Sequence, residues 1–153
     1  MRLFRNVLSA LLVAVLGLGV AATVPTAAVA ASEPKRLIEE EDPNDNRVGF
    51  NAFKLKGVIT QAVLDPLTGQ PAIDPLTGLE TYVPYADGKV KLQKKKCKKC
   101  SWKNVKKLRT NDSGKFKTRI YAPRQGRWKW RVYVKASDGY GTTIGKRWTA
   151  AFR

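Results

Sequence analysis

Histidine is missing from all 153 residues. Without it the chain has no imidazole metal ligand, no Ser-His-Asp or Cys-His nucleophile and no histidine proton shuttle, and most enzyme classes fall with those groups. Cysteine occurs only as Cys97 and Cys100, too few for a zinc site, which takes four ligands. Acids are also scarce: 12 Asp and Glu stand against 29 Lys and Arg, a formal charge of +17. The scarcity is uneven. Six acids (Glu33, Glu39, Glu40, Glu41, Asp42 and Asp45) precede Phe50, whereas Gly88 to Arg153 holds 22 Lys and Arg against Asp112 and Asp138 alone, a net +20. Those two aspartates lie close to serine and glycine, where turn formation accounts for them and no carboxylate pair for acid–base chemistry presents itself. The chain therefore reads as non-catalytic, with no cofactor, no metal and no small-molecule substrate, acting as a monomer. Apolar residues, by contrast, make up 43%, which separates the chain from disordered polybasic tails and allows a single small domain with a core.

No apolar run is long enough to span a membrane. The longest, Val7 to Val20, has 14 residues, and about 20 are needed. Preceded by Arg2 and Arg5 and followed by Ala28-Val29-Ala30, it has the layout of a signal peptide cleaved after Ala30. Residues 1–30 are thus expected to direct export, leaving a secreted, extracellular or cell-wall-associated chain of 123 residues with charge +15. Residues 31–49 are polar, acidic and interrupted by Pro34 and Pro43, which predicts a flexible acidic linker. An alternative is an acidic arm folded back over basic surface.

From Phe50 the pattern alternates with period two, the signature of half-buried strands. Phe53, Leu55, Gly57 and Ile59 oppose Lys54, Lys56, Val58 and Thr60; Val90 and Leu92 oppose Lys89, Lys91 and Gln93. Phe116, Thr118 and Ile120 oppose Lys115, Lys117 and Arg119, and Trp128, Trp130, Val132 and Val134 oppose Lys129, Arg131, Tyr133 and Lys135. Ile144, Trp148, Ala150 and Phe152 continue the pattern less regularly. Trp102, Val105 and Leu108 are spaced nearer to a helix. Turn sequences rich in Gly, Asn and Asp separate these runs, at Asp87-Gly88, Asn111 to Gly114, Pro123 to Gly126 and Ser137 to Gly139. Short alternating strands with such turns predict an all-β antiparallel sandwich over residues 50–153. The repeat Asp65-Pro-Leu-Thr-Gly69 and Asp74-Pro-Leu-Thr-Gly78 offers oxygen ligands for calcium, but its spacing matches no EF-hand loop, and paired turns are the simpler reading.

Three pieces taken together carry a resemblance: the Gly57 strand (LKGVI), the strand opening Gly88-Lys-Val-Lys-Leu92, and Thr110-Asn-Asp-Ser-Gly-Lys-Phe116 followed by Pro123-x-x-Gly-x-Trp-x-Trp-x-Val132. They resemble secreted bacterial Ig-like and carboxypeptidase-regulatory-like (prealbumin-type) β-sandwich modules over about residues 53–153. The resemblance implies a non-catalytic domain of a cell-surface or secreted protein. The long insertion from Asp65 to Tyr85 and the basic surface depart from the usual pattern.

Cys97-Lys-Lys-Cys100 in an exported chain reads as a short-range disulfide. A redox pair would require a helix N-terminus in a βαβ setting, which the sequence lacks, and a zinc site would require more ligands. The candidate polyanion-binding residues are the outward-facing cations and the lysines around the cysteines: Lys94, Lys95, Lys96, Lys98, Lys99, Lys115, Lys117, Arg119, Arg127, Lys129, Arg131 and Lys135. One-sided fields of this kind attract polyanions in a salt-dependent manner. Expected partners are an anionic envelope polymer or phospholipid surface, then nucleic acid, then an acidic protein. Trp128 and Trp130 read as core residues, and Tyr133 and Tyr140 as candidates for exposed stacking.

Overall fold

A computed structural model describes residues 33–152, and the expected signal peptide lies outside them. The described residues form ten strands: β1 (Leu37–Glu40), β2 (Arg47–Gly49), β3 (Ala52–Ala62), β4 (Tyr82–Pro84), β5 (Lys89–Lys95), β6 (Lys103–Arg109), β7 (Lys115–Tyr121), β8 (Arg127–Val134), β9 (Thr143–Ile144) and β10 (Trp148–Ala151). The strands make two antiparallel sheets that pack as a β-sandwich. In the first, β3 is central, flanked by β1 and β2 along one side and pairing also with β7 and β4; in the second the order is β10-β8-β5-β6, with β9 also on β8.

The alternating apolar residues face inward. Leu55 and Ile59 of β3, Val90 and Leu92 of β5, Phe116 and Ile120 of β7, and Trp130, Val132 and Val134 of β8 form one buried cluster with Ala122 and Ala150. Each large side chain so buried contributes about 1.5–3 kcal/mol relative to exposure. Gly57 makes room for its cross-strand partner on β7: a Cβ there would come within 2.8 Å of the Phe116 ring. Turn residues take the left-handed conformations anticipated from their chemistry, among them Asp87, Asp138 and Gly114.

Four expectations need correction. Residues 33–49 are not an irregular linker: β1 runs antiparallel to β3 from Leu37↔Thr60 to Glu40↔Gly57, a 3-10 turn spans Pro43–Asp45, and β2 returns onto β3. The segment is held by two polar side chains that find distant partners, Arg36 and Glu40, both buried. Trp102 to Arg109 is not helical. β6 pairs with β5, and its register skips Val105 between Leu92↔Lys106 and Gln93↔Asn104, so a bulge turns a period of two into an apparent spacing of three. Tyr140 is not an exposed stacking residue; it is buried, its hydroxyl donates to the Ala62 carbonyl, and the Arg36 guanidinium lies 4.4 Å from its ring centre. Ile144 points outward at 47% exposure, because Thr143 takes the inward position beside Val134.

The repeated Asp-Pro-Leu-Thr-Gly segments form two matching turns. Asp65 Oδ1 accepts from the Leu67 and Thr68 N–H groups, Asp74 Oδ1 from those of Leu76 and Thr77, and the turns place Leu67 and Leu76 in solvent at 93% and 94% exposure.

Candidate polyanion-binding surface

Residues directly opposite in an antiparallel ladder point to the same side of the sheet. Applied to the second sheet, this rule stacks cations in rungs on its outer face. Lys89 lies opposite Arg109, and Lys91 lies between Lys107 and Tyr133. Gln93 lies between Asn104 and Arg131, and Lys95 is opposite Lys129, whose other neighbour is Thr149. Arg127 is opposite Ala151. Eight cations therefore share this face, and no strand of the sheet contains an acid. On the first sheet the same rule pairs Lys54 with Arg119 and Lys56 with Lys117, but there Glu41 meets the Lys56 ammonium at 2.7 Å.

On the outer faces five rungs thus set like charges directly opposite one another, Lys89–Arg109, Lys91–Lys107 and Lys95–Lys129 on the second sheet and Lys54–Arg119 and Lys56–Lys117 on the first, and a sixth like-charged pair, Lys94–Lys103, lies in the β5–β6 ladder out of this alternation. Like charges so placed destabilise a sheet by roughly 0.2–1 kcal/mol relative to neutral pairs. Anions bound over the rungs would relieve that repulsion.

The middle of the face is tied together by side-chain contacts. Arg131 Nε donates to Gln93 Oε1 at 2.8 Å, Gln93 Nε2 donates to Asn104 Oδ1 at 2.9 Å, and the Arg131 guanidinium lies 4.2 Å from the centre of the Trp102 ring. Gln93, anticipated among the exposed residues, is buried by this arrangement. Desolvation, followed by the nearby Arg147, holds the Arg131 pKa below its ordinary value.

The predicted site residues divide among several places. Arg127, Lys129, Arg131 and Lys95 lie on the outer face of the second sheet, and exposed Lys135 follows the end of β8. Lys115, Lys117 and Arg119 lie on β7 in the other sheet. Lys98 and Lys99 are exposed in the loop closed by the Cys97–Cys100 disulfide, and exposed Lys96 immediately precedes it. Lys94 leaves the loop set: it belongs to β5, faces inward opposite Trp130, and carries its ammonium 3.9 Å from the Trp128 ring centre. Desolvation, then Lys96, lowers its pKa. The cations of β6, among them Lys107 and Arg109, were absent from the candidate set because the bulge disguised their strand. The alternation Lys107-Leu108-Arg109 within the strand itself was the available signal.

A second set of polar side chains closes the edge between the sheets near β1. The Arg36 Nε donates to Gln61 Oε1 at 3.1 Å, and its Nη2 donates to the Ser137 carbonyl at 3.1 Å and hydroxyl at 3.2 Å. Asp138 is 3.7 Å from Nη2, and the Tyr85 and Tyr140 rings sandwich the guanidinium at 4.3 and 4.4 Å. Glu40 Oε2 accepts from the Lys146 N–H at 2.7 Å and the Trp148 indole N–H at 3.2 Å. Burial raises the Glu40 pKa above 4.5, outweighing these hydrogen bonds.

Compared with family models, with curated proteins and with solved structures, the chain matches none.

Proposed function

We propose that the chain is a secreted, non-catalytic module that holds an anionic polymer of the cell envelope on the outer face of its second sheet. The observation that carries this reading is the set of like-charged rungs, from Lys89–Arg109 to Lys95–Lys129, on a sheet whose strands contain no acid. A surface charged only for solubility intersperses both signs. The Cys97–Cys100 bond fits an oxidising compartment, and the export layout of residues 1–30 fits the same location. The two-sheet architecture and the turn motifs support kinship with the Ig-like and carboxypeptidase-regulatory-like modules.

The aromatic groups favour a polymer with dispersed charge over single-stranded nucleic acid. Base stacking needs open ring faces. Here Arg131 covers one face of Trp102, and Lys94 covers Trp128. A lipid surface is the less favoured partner, because the most exposed leucines, Leu67 and Leu76, lie in an insertion whose charged residues are Asp65, Asp74 and Glu80.

The test is retention of the protein on immobilised anionic wall polymer, with anionic vesicles and single-stranded DNA as competitors. The expected result is retention at low salt that weakens by roughly two orders of magnitude or more as salt rises through the physiological range, with wall polymer the strongest competitor. Retention insensitive to salt would defeat the ionic mechanism, and stronger competition by DNA or vesicles would transfer the site to those partners.

A further inference from the structure

The edge of the sandwich opposite β1 carries a second site. There β6 and β7 end their sheets, each paired on one side only. Between them opens a groove of about 640 Å³, within the range of small-ligand sites. Its walls present four cations, Lys54, Lys106, Lys117 and Arg119, and its apolar part is made by Leu92, Val105, Tyr121 and Trp130. No acid lines it.

Thr118 also lines the groove, 94% buried, and its hydroxyl has no hydrogen-bond partner among the described residues. A buried hydroxyl left unpaired costs about 1–3 kcal/mol, so its presence beside four cations calls for an incoming acceptor. The lysine stems that border the groove are long and rotatable, which lets a ligand reach the wall they cover. A simple inorganic anion would use the cations and could accept from the hydroxyl, but would leave the apolar surface uncovered. A ligand matching all three has more than one acidic group, hydroxyls or ring oxygens, and apolar C–H faces that rest on Tyr121 and the edge of Trp130.

We infer that the β6–β7 groove binds a short acidic oligosaccharide, with carboxylates or phosphates on the cations and a sugar oxygen on Thr118. The sugar is held and not converted. The site is separate from the rungs of the second sheet and does not depend on their role.

The test follows backbone amide shifts of the isotopically labelled protein during titration with di-galacturonate, glucose 6-phosphate, neutral maltose and inorganic phosphate. Saturable shifts confined to β6, β7 and the Trp130 indole N–H are expected with the acidic sugars, the stronger of the two identifying carboxylate or phosphate as the preferred group. Lys106→Gln with Arg119→Gln should weaken binding by about tenfold or more, and Thr118→Val by about tenfold, the loss of one hydrogen bond. Thr118→Val is nearly isosteric and removes an unpaired group, so its melting temperature should hold or rise, which separates lost binding from lost fold. Lys89→Gln with Lys129→Gln, on the outer face, should leave this binding unchanged. The inference is overturned by equal binding of maltose or inorganic phosphate at these residues, by unsaturable shifts spread over all basic surfaces, or by full affinity in Thr118→Val.

Discussion

The two long edges of the sandwich are built from opposite materials. At the edge formed by β1 with β9 and β10, charged side chains are buried and held mainly by partners: Arg36 binds Gln61 and Ser137, its backbone N–H donates to Thr143 Oγ1, and Glu40 receives the Lys146 and Trp148 N–H groups, which leaves only Arg36 Nη1 and Glu40 Oε1 of these two side chains unpaired among the described residues. At the edge formed by β6 and β7, the cations stand open, and the Thr118 hydroxyl is buried without a partner among the described residues. The acidic segment of the chain has been used to close one edge and to pair with Lys56 on the first sheet. It leaves the second sheet's face and the far edge without counter-charges. The difference teaches that the basic surface is selective in place: acids are supplied where the fold needs closure and withheld where cations line up in rungs.

The largest expected effect comes from breaking the closed edge. Arg36→Ala removes a fully buried guanidinium held by hydrogen bonds and two tyrosine rings, and should cost about 3–5 kcal/mol in chemical denaturation, a loss typical of broken buried polar networks. If that variant does not fold, Arg36→Lys, which keeps the charge and loses the planar contacts, should still show a substantial drop.

Glu40→Ala should cost less, about 1–3 kcal/mol, because it leaves the Trp148 and Lys146 N–H groups without their acceptor. Glu40→Gln keeps an acceptor oxygen and removes the titration. Since burial raises the folded-state pKa above 4.5, the folded chain holds this proton to higher pH than the unfolded chain does. The contribution of Glu40 to stability therefore falls as pH rises from about 4.5 through the raised pKa, and recovers on acidification. Stability curves of wild type minus Glu40→Gln should slope downward with pH across that window; a flat or rising difference would contradict the burial argument.

The Cys97–Cys100 disulfide closes only a four-residue loop, so its reduction should cost no more than about 2 kcal/mol by loop-entropy arithmetic and leave the core melting cooperatively. Smallest of all is the effect of a single rung. Lys91→Glu should stabilise the isolated protein by a few tenths of a kcal/mol, by exchanging a like-charged rung for an opposite-charged one opposite Lys107, while weakening its retention on anionic polymer. A change of sign in either readout would separate the rungs from the binding surface.

Much of the sandwich was legible in the residues because β3, β5, β7 and β8 alternate with period two and are bounded by turns whose Gly, Asn and Asp take left-handed conformations. β6 was not, because the bulge at Val105 moves Trp102, Val105 and Leu108 to a helical-looking spacing. The closed edge was not, because Arg36 and Glu40 look like solvated charges until their partners, about 100 residues away, are brought beside them. For the same reason Tyr140 looked available for stacking. Of the candidate surface, the outward cations of β7 and β8 followed from alternation alone. Their grouping into rungs required the strand order, which no local pattern encodes.

The central claim is that the like-charged rungs of the second sheet are held apart from acids in order to meet a polyanion. The most direct measurement is the melting temperature at low salt with and without soluble anionic wall polymer, for wild type and for the triple variant Lys89→Gln, Lys91→Gln, Lys129→Gln. The rungs predict that polymer raises the melting temperature of wild type and that this rise shrinks sharply in the variant, whose own melting temperature without polymer is equal or higher. A wild-type melting temperature unmoved by polymer, or an equal rise in the variant, would contradict the account.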